Sequence, residues 1–264
     1  NVGFNHSAIS RYRSPLSGAW RNGDNLEQML INAINSAEKE ILVAVQELSL
    51  PRIAESLVAA SRLGVKVKVI SENNYSTPWS QQHELDLSRH GRKRLQRLKV
   101  EADQDQNGVV SPEEARSHDA LLILQHGQIA WLDDTEDGSK GSGLMHHKFV
   151  VIDGERVITG SANFTSSGIH GDAGATQTRG NVNHLISIQN PALATVFKEE
   201  FAQMWGDGPG GSNDSRFGRN KTAQPLQTIK AGTANISVLF PPHPKSHQGH
   251  SLDVIEDQFV SAKK

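Results

Sequence analysis

The chain has 264 residues, 36% of them hydrophobic, and carries 27 Lys and Arg against 29 Asp and Glu, a formal net charge of −2. That apolar content suffices for one large core or two modest ones, and the near balance of charge excludes a polyanion binder driven by its overall field. The absence of cysteine excludes a disulfide framework, a thiolate zinc site and a cysteine nucleophile, and leaves the 12 histidines as the richest pool of reactive side chains.

The chain opens at Asn1 rather than Met, as it would after removal of an initiator, a tag or a targeting segment, and the last of these leans towards a secreted or periplasmic protein. Asp24 and Glu27 have the spacing of a capping box. Leu26, Met29, Leu30, Ala33, Ile34 and Ala37 recur on one face, which predicts a helix from residue 24. Residues 41–45 read as a strand, residues 51–62 as a helix stopped at Gly64, and the alternating residues 65–70 as a second strand. Strand, helix and strand of these lengths make a βαβ unit. An α/β fold is expected, with a mixed, mostly parallel sheet flanked by helices.

Residues 71–119 are polar and irregular and read as an insertion. After them, apolar runs at 121–124, 129–132, 149–152, 157–158 and 185–188 each have strand length, giving about seven strands in all. Asn190, Pro191 and a stripe of Leu193, Val196, Phe197, Phe201, Met204 and Trp205 predict a helix over 190–205. Residues 206–224 are rich in Gly, Ser, Asn and Asp and read as a linker. Beyond it the first helix pattern returns: Met29 and Leu30 correspond to Val254 and Ile255, Ile34 to Phe259, and Ser36-Ala37 to Ser261-Ala262. On this reading residues 1–205 form one unit and residues 225–264 begin a second copy. No apolar run approaches the roughly 20 residues of a transmembrane helix.

Two features of the insertion carry chemistry. Asp103, Asp105, Asn107, the Val109 carbonyl, Ser111 and Glu114, with Gly108 at the turn, fit the calcium loop of an EF-hand. A single hand implies a structural ion that staples the insertion. Immediately upstream, residues 89–99 concentrate positive charge. Arg92, Lys93 and Arg94 are its expected phosphate-tracking residues, the alternative being a solvated helix face. With 5% aromatic residues there is little to stack bases on, so low sequence specificity is expected.

The remaining motif lies in Met145-His-His-Lys-Phe-Val-Val-Ile-Asp-Gly154. His146 and Lys148 are two apart on a run of strand type, so both side chains leave the same face. Asp153 ends that run, and the next strand delivers Gly160-Ser-Ala-Asn-Phe-Thr165. Adjacent strand ends would gather His146, Lys148, Ser161 and Asn163. A neutral imidazole can attack phosphorus while an ammonium and an amide hold the non-bridging oxygens.

His146, Lys148 and Asp153 followed by Gly160, Ser161 and Asn163 resemble the signature of the phospholipase D superfamily, and look most like its bacterial endonuclease branch. The resemblance covers about the first 205 residues. It implies a phospholipase D-like fold and a two-step reaction without a catalytic metal: His146 forms a phosphohistidine, and a second histidine from a matching half-site protonates the leaving oxygen and then activates water. His243-Pro-Lys245 does not supply that half, because His250 stands where an acid is needed and no Gly-Ser-x-Asn follows. The second half would come from residues beyond Lys264 or from a second copy of the chain. The branch commonly has a glutamate holding the nucleophile's other ring nitrogen; Asn183 stands there in this chain, which leaves open whether His146 is nucleophile or acid. The expected function is a phosphodiesterase cleaving DNA or RNA. The alternatives are a phospholipase D or transphosphatidylase acting on lipid headgroups, and a catalytically idle, calcium-stabilised module that binds nucleic acid.

Overall fold

The computed structural model describes residues 1–139, 144–171, 178–244, 246 and 250–262. Three short strands precede the first helix: β1 (Val2–Phe4), and β2 (Arg11–Arg13) paired antiparallel with β3 (Trp20–Asn22). Helix α1 (Leu26–Ile34) is capped by Asn25, whose side chain accepts from the Gln28 N–H. Asp24 is therefore not the cap; its carboxylate accepts from the Phe4 N–H at 2.8 Å and ties β1 to the helix start. The expected stripe is otherwise as read, with Leu26, Leu30, Ala33 and Ile34 buried.

Strand β4 (Glu40–Val45), helix α2 (Pro51–Arg62) and strand β5 (Lys66–Ser71) form the βαβ unit, with β4 and β5 parallel. Pro51 suits the first helical turn, where no N–H is required, and Gly64 takes the positive φ of +93° that ends α2.

The insertion is more ordered than its composition suggests. It holds α3 (Arg89–Ala102), capped by the Ser88 side chain, and α4 (Pro112–His118), capped reciprocally by Ser111 and Glu114. Trp79, Leu95, Leu98 and Ala102 bury themselves in a small core of their own. So few apolar positions leave only a faint periodicity.

Residues 121–124 are helical, not a strand. They lie in α5 (Ala120–His126), where the Asp119 carboxylate accepts from the N–H groups of Leu121 and Leu122. A four-residue apolar run has no period that separates helix from strand, and the cap decides. Then follow β6 (Ala130–Asp133), β7 (Lys148–Ile152), β8 (Arg156–Gly160), the single turn α6 (Ser166–Ile169), β9 (His184–Gln189) and α7 (Pro191–Trp205), the last capped by Asn190 as expected.

Among the described residues, seven strands form one sheet in the order β1-β9-β8-β7-β4-β5-β6. The seventh strand is β1 in place of 121–124. Five strands (β1, β4, β5, β6, β8) run one way and two (β7, β9) the other, so the sheet is mixed. Interleaving makes only the β4–β5 and β5–β6 pairings parallel. On one face α1, α2 and α5 bury residues such as Leu30, Leu57 and Leu124 against Val43, Val69 and Val150. On the other, α7 covers Leu42, Phe149 and Val151.

Residues 206–224 are not a bare linker, because Phe217 is fully buried in the α7 core. The hairpin β10 (Gln227–Ala231) and β11 (Ala234–Val238), followed by Phe240, packs on the same core through Ile229, Ile236 and Val238. This part of the expected second copy thus extends the first unit's face. Helix α8 (Ser251–Ser261) forms where the repeated pattern predicts a helix, but has no buried side chain among the described residues. Lys245, of the His243-Pro-Lys245 string, lies outside the described residues, as do Lys263 and Lys264. No helix among the described residues is long and apolar enough to cross a membrane.

Candidate active site

Antiparallel pairing puts the start of β7 beside the ends of β4 and β8, and β8 in turn aligns with the start of β9. Four strand ends therefore meet at one rim of the sheet, the place where α/β folds commonly hold ligands. Gly160 allows the last of these approaches. A Cβ there would stand 2.1 Å from the His184 carbonyl oxygen, so only glycine fits. The Ser161 N–H then donates to the same carbonyl at 3.2 Å, and the Ser161 hydroxyl accepts from the His184 N–H at 3.2 Å. Ala162 and Phe164 are buried and anchor the loop, so that Ser161 and Asn163 face the rim.

Lys148 is half-buried. Its ammonium donates to the His146 carbonyl at 3.0 Å and to Gln46 Oε1 at 3.5 Å, and the Asn163 amide nitrogen reaches the same Gln46 oxygen at 3.0 Å. Burial pushes Lys148 down to about 8, against the opposing pull of the Glu47 carboxylate. His146 is exposed, and partial burial, then Lys148 and His147, hold its imidazole below the ordinary histidine value. The strand ends therefore bring His146, Lys148, Ser161 and Asn163 to one rim, where Lys148 and Asn163 meet at Gln46 Oε1 and the His146 imidazole is biased towards its neutral form.

Three other expected residues are not with them. Asp153 lies past the far end of β7, beside the start of β4. Its oxygens accept from the N–H groups of Glu38, Lys39 and Glu40 at 2.7 to 2.9 Å, which makes it a clamp between two strands rather than a catalytic group. Asn183 is committed elsewhere too, donating through its amide to the Gly168 carbonyl at 2.8 Å and exchanging bonds with Asn5. Among the described residues nothing accepts from the His146 ring. Arg94 is buried at 7% exposure, its Nε 2.6 Å from Glu47 Oε1, so it is a paired charge and not a phosphate finger. Arg92 and Lys93 do face solvent on α3.

The sequence reading missed Gln46 and Glu47 at the end of β4, His184 against Ser161, and His147. The His147 Nε2 lies 2.8 Å from buried Glu200, which Lys221 also contacts. Burial raises the Glu200 carboxyl, but the bonds from His147 and Lys221 outweigh it and hold the group below its ordinary value. Two polar residues directly after the apolar strand 41–45 were the available signal. Beside His146 a cavity of about 600 Å³ opens, walled by Met145, Met204, Phe217, Leu239 and Phe240.

In the insertion, carboxylate oxygens of Asp103, Asp105 and Glu114 lie within 4.8 Å of one another. Asp103 accepts from the N–H groups of Asn107 and Gly108, Asp105 from Asn107, and Asn107 from Val109. Glu114 accepts from Ser111 and Gln104, and those bonds, the Ser111 N–H foremost, hold its carboxyl down at about 2. Gly108 takes φ +83° at the turn. An all-oxygen donor set drawn together in this way suits a hard cation.

A family model described as "Cardiolipin synthase, PLD-like domain" matches residues 30–205, and the chain belongs to this PLD-like family. Among curated proteins it is 24% identical over 182 residues to the mitochondrial cardiolipin hydrolase of Xenopus tropicalis, covering 69% of this chain and 62% of that protein. It is 26% identical over 203 residues to a phospholipase D of Rickettsia conorii, covering 76% of this chain and 72% of that one. Among solved structures it is similar to the phospholipase D family member Nuc of Salmonella typhimurium, with a TM-score of 0.45 and 22% identity over 79% of this chain and 94% of that chain.

Proposed function

We propose that the chain is a phosphodiesterase that cleaves nucleic acid with low sequence specificity through a phosphohistidine at His146. The observation that carries this reading is the convergence of His146, Lys148, Ser161 and Asn163 at one rim, with the imidazole biased to its neutral form and the ammonium held beside it. In the first step a ring nitrogen of His146 bonds to phosphorus and the bond from phosphorus to the leaving oxygen breaks. Lys148 and the Asn163 amide stabilise the charge on the non-bridging oxygens. A histidine of a matching half-site gives its proton to the leaving oxygen, then takes one from water as that water displaces His146. That half comes from residues beyond Lys264 or from a second copy of the chain. Arg92 and Lys93, exposed on α3, support a polyanionic substrate. A phospholipid headgroup is the second reading, favoured by the apolar cavity beside His146.

The test is incubation of the chain with plasmid DNA and with phosphatidylcholine vesicles, each with wild type and His146→Ala. Plasmid cleavage abolished by the substitution is expected. Cleavage that survives it removes His146 from the reaction, hydrolysis of lipid alone moves the assignment to the second reading, and binding without cleavage leaves an idle module.

The loop from Asp103 to Glu114 is read as a calcium site that staples α3 to α4. Millimolar calcium should raise the melting temperature of wild type and not of Glu114→Gln, because a ligand that binds only the folded state stabilises it. Cleavage should persist in chelator. An unshifted wild-type melting curve would remove calcium from the account.

A further inference from the structure

One atom holds two of the groups that would hold the phosphate. Gln46 follows the last residue of β4 and is 9% exposed. Its backbone is fixed on both sides: the N–H donates to the His147 carbonyl at 3.0 Å, and the carbonyl accepts from the Glu72 N–H at 3.2 Å. The side-chain Oε1 accepts from Asn163 Nδ2 at 3.0 Å and from Lys148 Nζ at 3.5 Å. An amide oxygen has two lone-pair directions, and here both are occupied.

This sharing settles which way the Asn163 amide faces. Turned over, its oxygen would meet Gln46 Oε1, acceptor against acceptor. As it stands, one N–H goes to Gln46 and the second is left for a substrate oxygen. The buried Asn163 Oδ1 has no partner among the described residues, so nothing else there selects this orientation. The same oxygen draws the Lys148 ammonium towards the Asn163 side of the rim, although β7 and the Ser161 loop belong to different strands.

We propose that Gln46 is a positioning residue of the phosphodiester site, whose neutral carboxamide oxygen fixes the orientation of Asn163 and its spacing from Lys148. This rests on the phosphodiesterase reading above. Gln46 touches no reacting atom; it acts through the two donors. Its neutrality matters as well as its shape, since a carboxylate at this position would form an ion pair with Lys148 and compete with the phosphate for it.

Two substitutions separate these roles. Gln46→Met keeps the volume and removes the acceptor, while Gln46→Glu keeps the acceptor and adds charge. Each is assayed on bis(p-nitrophenyl) phosphate for kcat and KM across pH, and the Lys148 side chain is titrated independently by NMR with 13Cε-labelled lysine. Gln46→Met should lower kcat by about 10- to 100-fold with KM changed much less, as expected when donors to a transition state are misplaced. The Lys148 titration should move below its wild-type midpoint of about 8. Gln46→Glu should move that midpoint up by a unit or more and carry the alkaline limb of kcat/KM with it. An unmoved Lys148 midpoint in both variants overturns the proposal. A wild type that cleaves no phosphodiester sinks the functional reading instead and leaves the titration to judge Gln46.

Discussion

At the scale of the residue, the proposed reaction needs two groups two positions apart to differ in charge, one neutral and one cationic. In the proposed reaction His146 attacks as a neutral imidazole and Lys148 stabilises the developing charge as a cation. Burial and the neighbouring positive groups push the imidazole below its ordinary value, so it is neutral above roughly pH 6.5. Burial also pushes the ammonium down to about 8, so it loses its charge above that pH. The kcat/KM profile should therefore be bell-shaped, with its acid limb below 6.5 and its alkaline limb near 8. Lys148→Met should lower the rate and remove the alkaline limb. A limb that persists in that variant would assign the titration to another group.

At the scale of the element, strand alternation made the His146-x-Lys148 pair legible, because which face a strand side chain takes follows from neighbouring positions alone. Asp153 is the instructive contrast. It belongs to the same motif, yet a strand advances about 3.3 Å per residue, so five residues of β7 carry it to the opposite end of the sheet. There it clamps the entry to β4. Burial raises its carboxyl, but the N–H groups of Glu38, Glu40 and Lys39 outweigh that and hold it below its ordinary value. A depressed carboxylate contributes stability that is present above its unfolded value near 3.8 and lost as pH falls through the folded one. Asp153→Asn should lower unfolding free energy by about 1–3 kcal/mol at neutral pH, measured by urea denaturation, with the pH profile of cleavage unchanged. A moved profile would return Asp153 to the chemistry. Helix α5 shows the other limit of local reading. Its four-residue apolar run fits helix or strand, and the Asp119 cap together with packing against α2 decides.

At the scale of the whole molecule, the insertion is tied to the seven-stranded sheet by the Arg94–Glu47 pair, with side-chain exposures of 7% and 11%. Arg94 also lies over the Tyr75 ring, its guanidinium carbon 5.2 Å from the centroid. Glu47 sits beside Gln46 and acts electrostatically on Lys148, so this tether reaches the rim. Removing one partner of such a pair leaves a buried charge uncompensated. Arg94→Met should lower stability by about 3–5 kcal/mol, and Arg94→Met with Glu47→Leu should recover most of it. Equal losses in the single and double variants would show that packing of the arginine stem, not charge pairing, holds the insertion.

The sequence by itself determined the fold class, the βαβ start, the α7 stripe and the spacing that groups His146, Lys148, Ser161 and Asn163. Each follows from a period or an interval between nearby residues. The tertiary structure alone decided which polar residues share that space. Gln46 enters it because β4 ends beside β7, Arg94 leaves the phosphate-binding set because Glu47 captures it, and Asn183 is taken by Gly168 and Asn5. Those outcomes depend on contacts between residues far apart in the chain, where a buried polar group must find a partner and no local pattern names which one it will be.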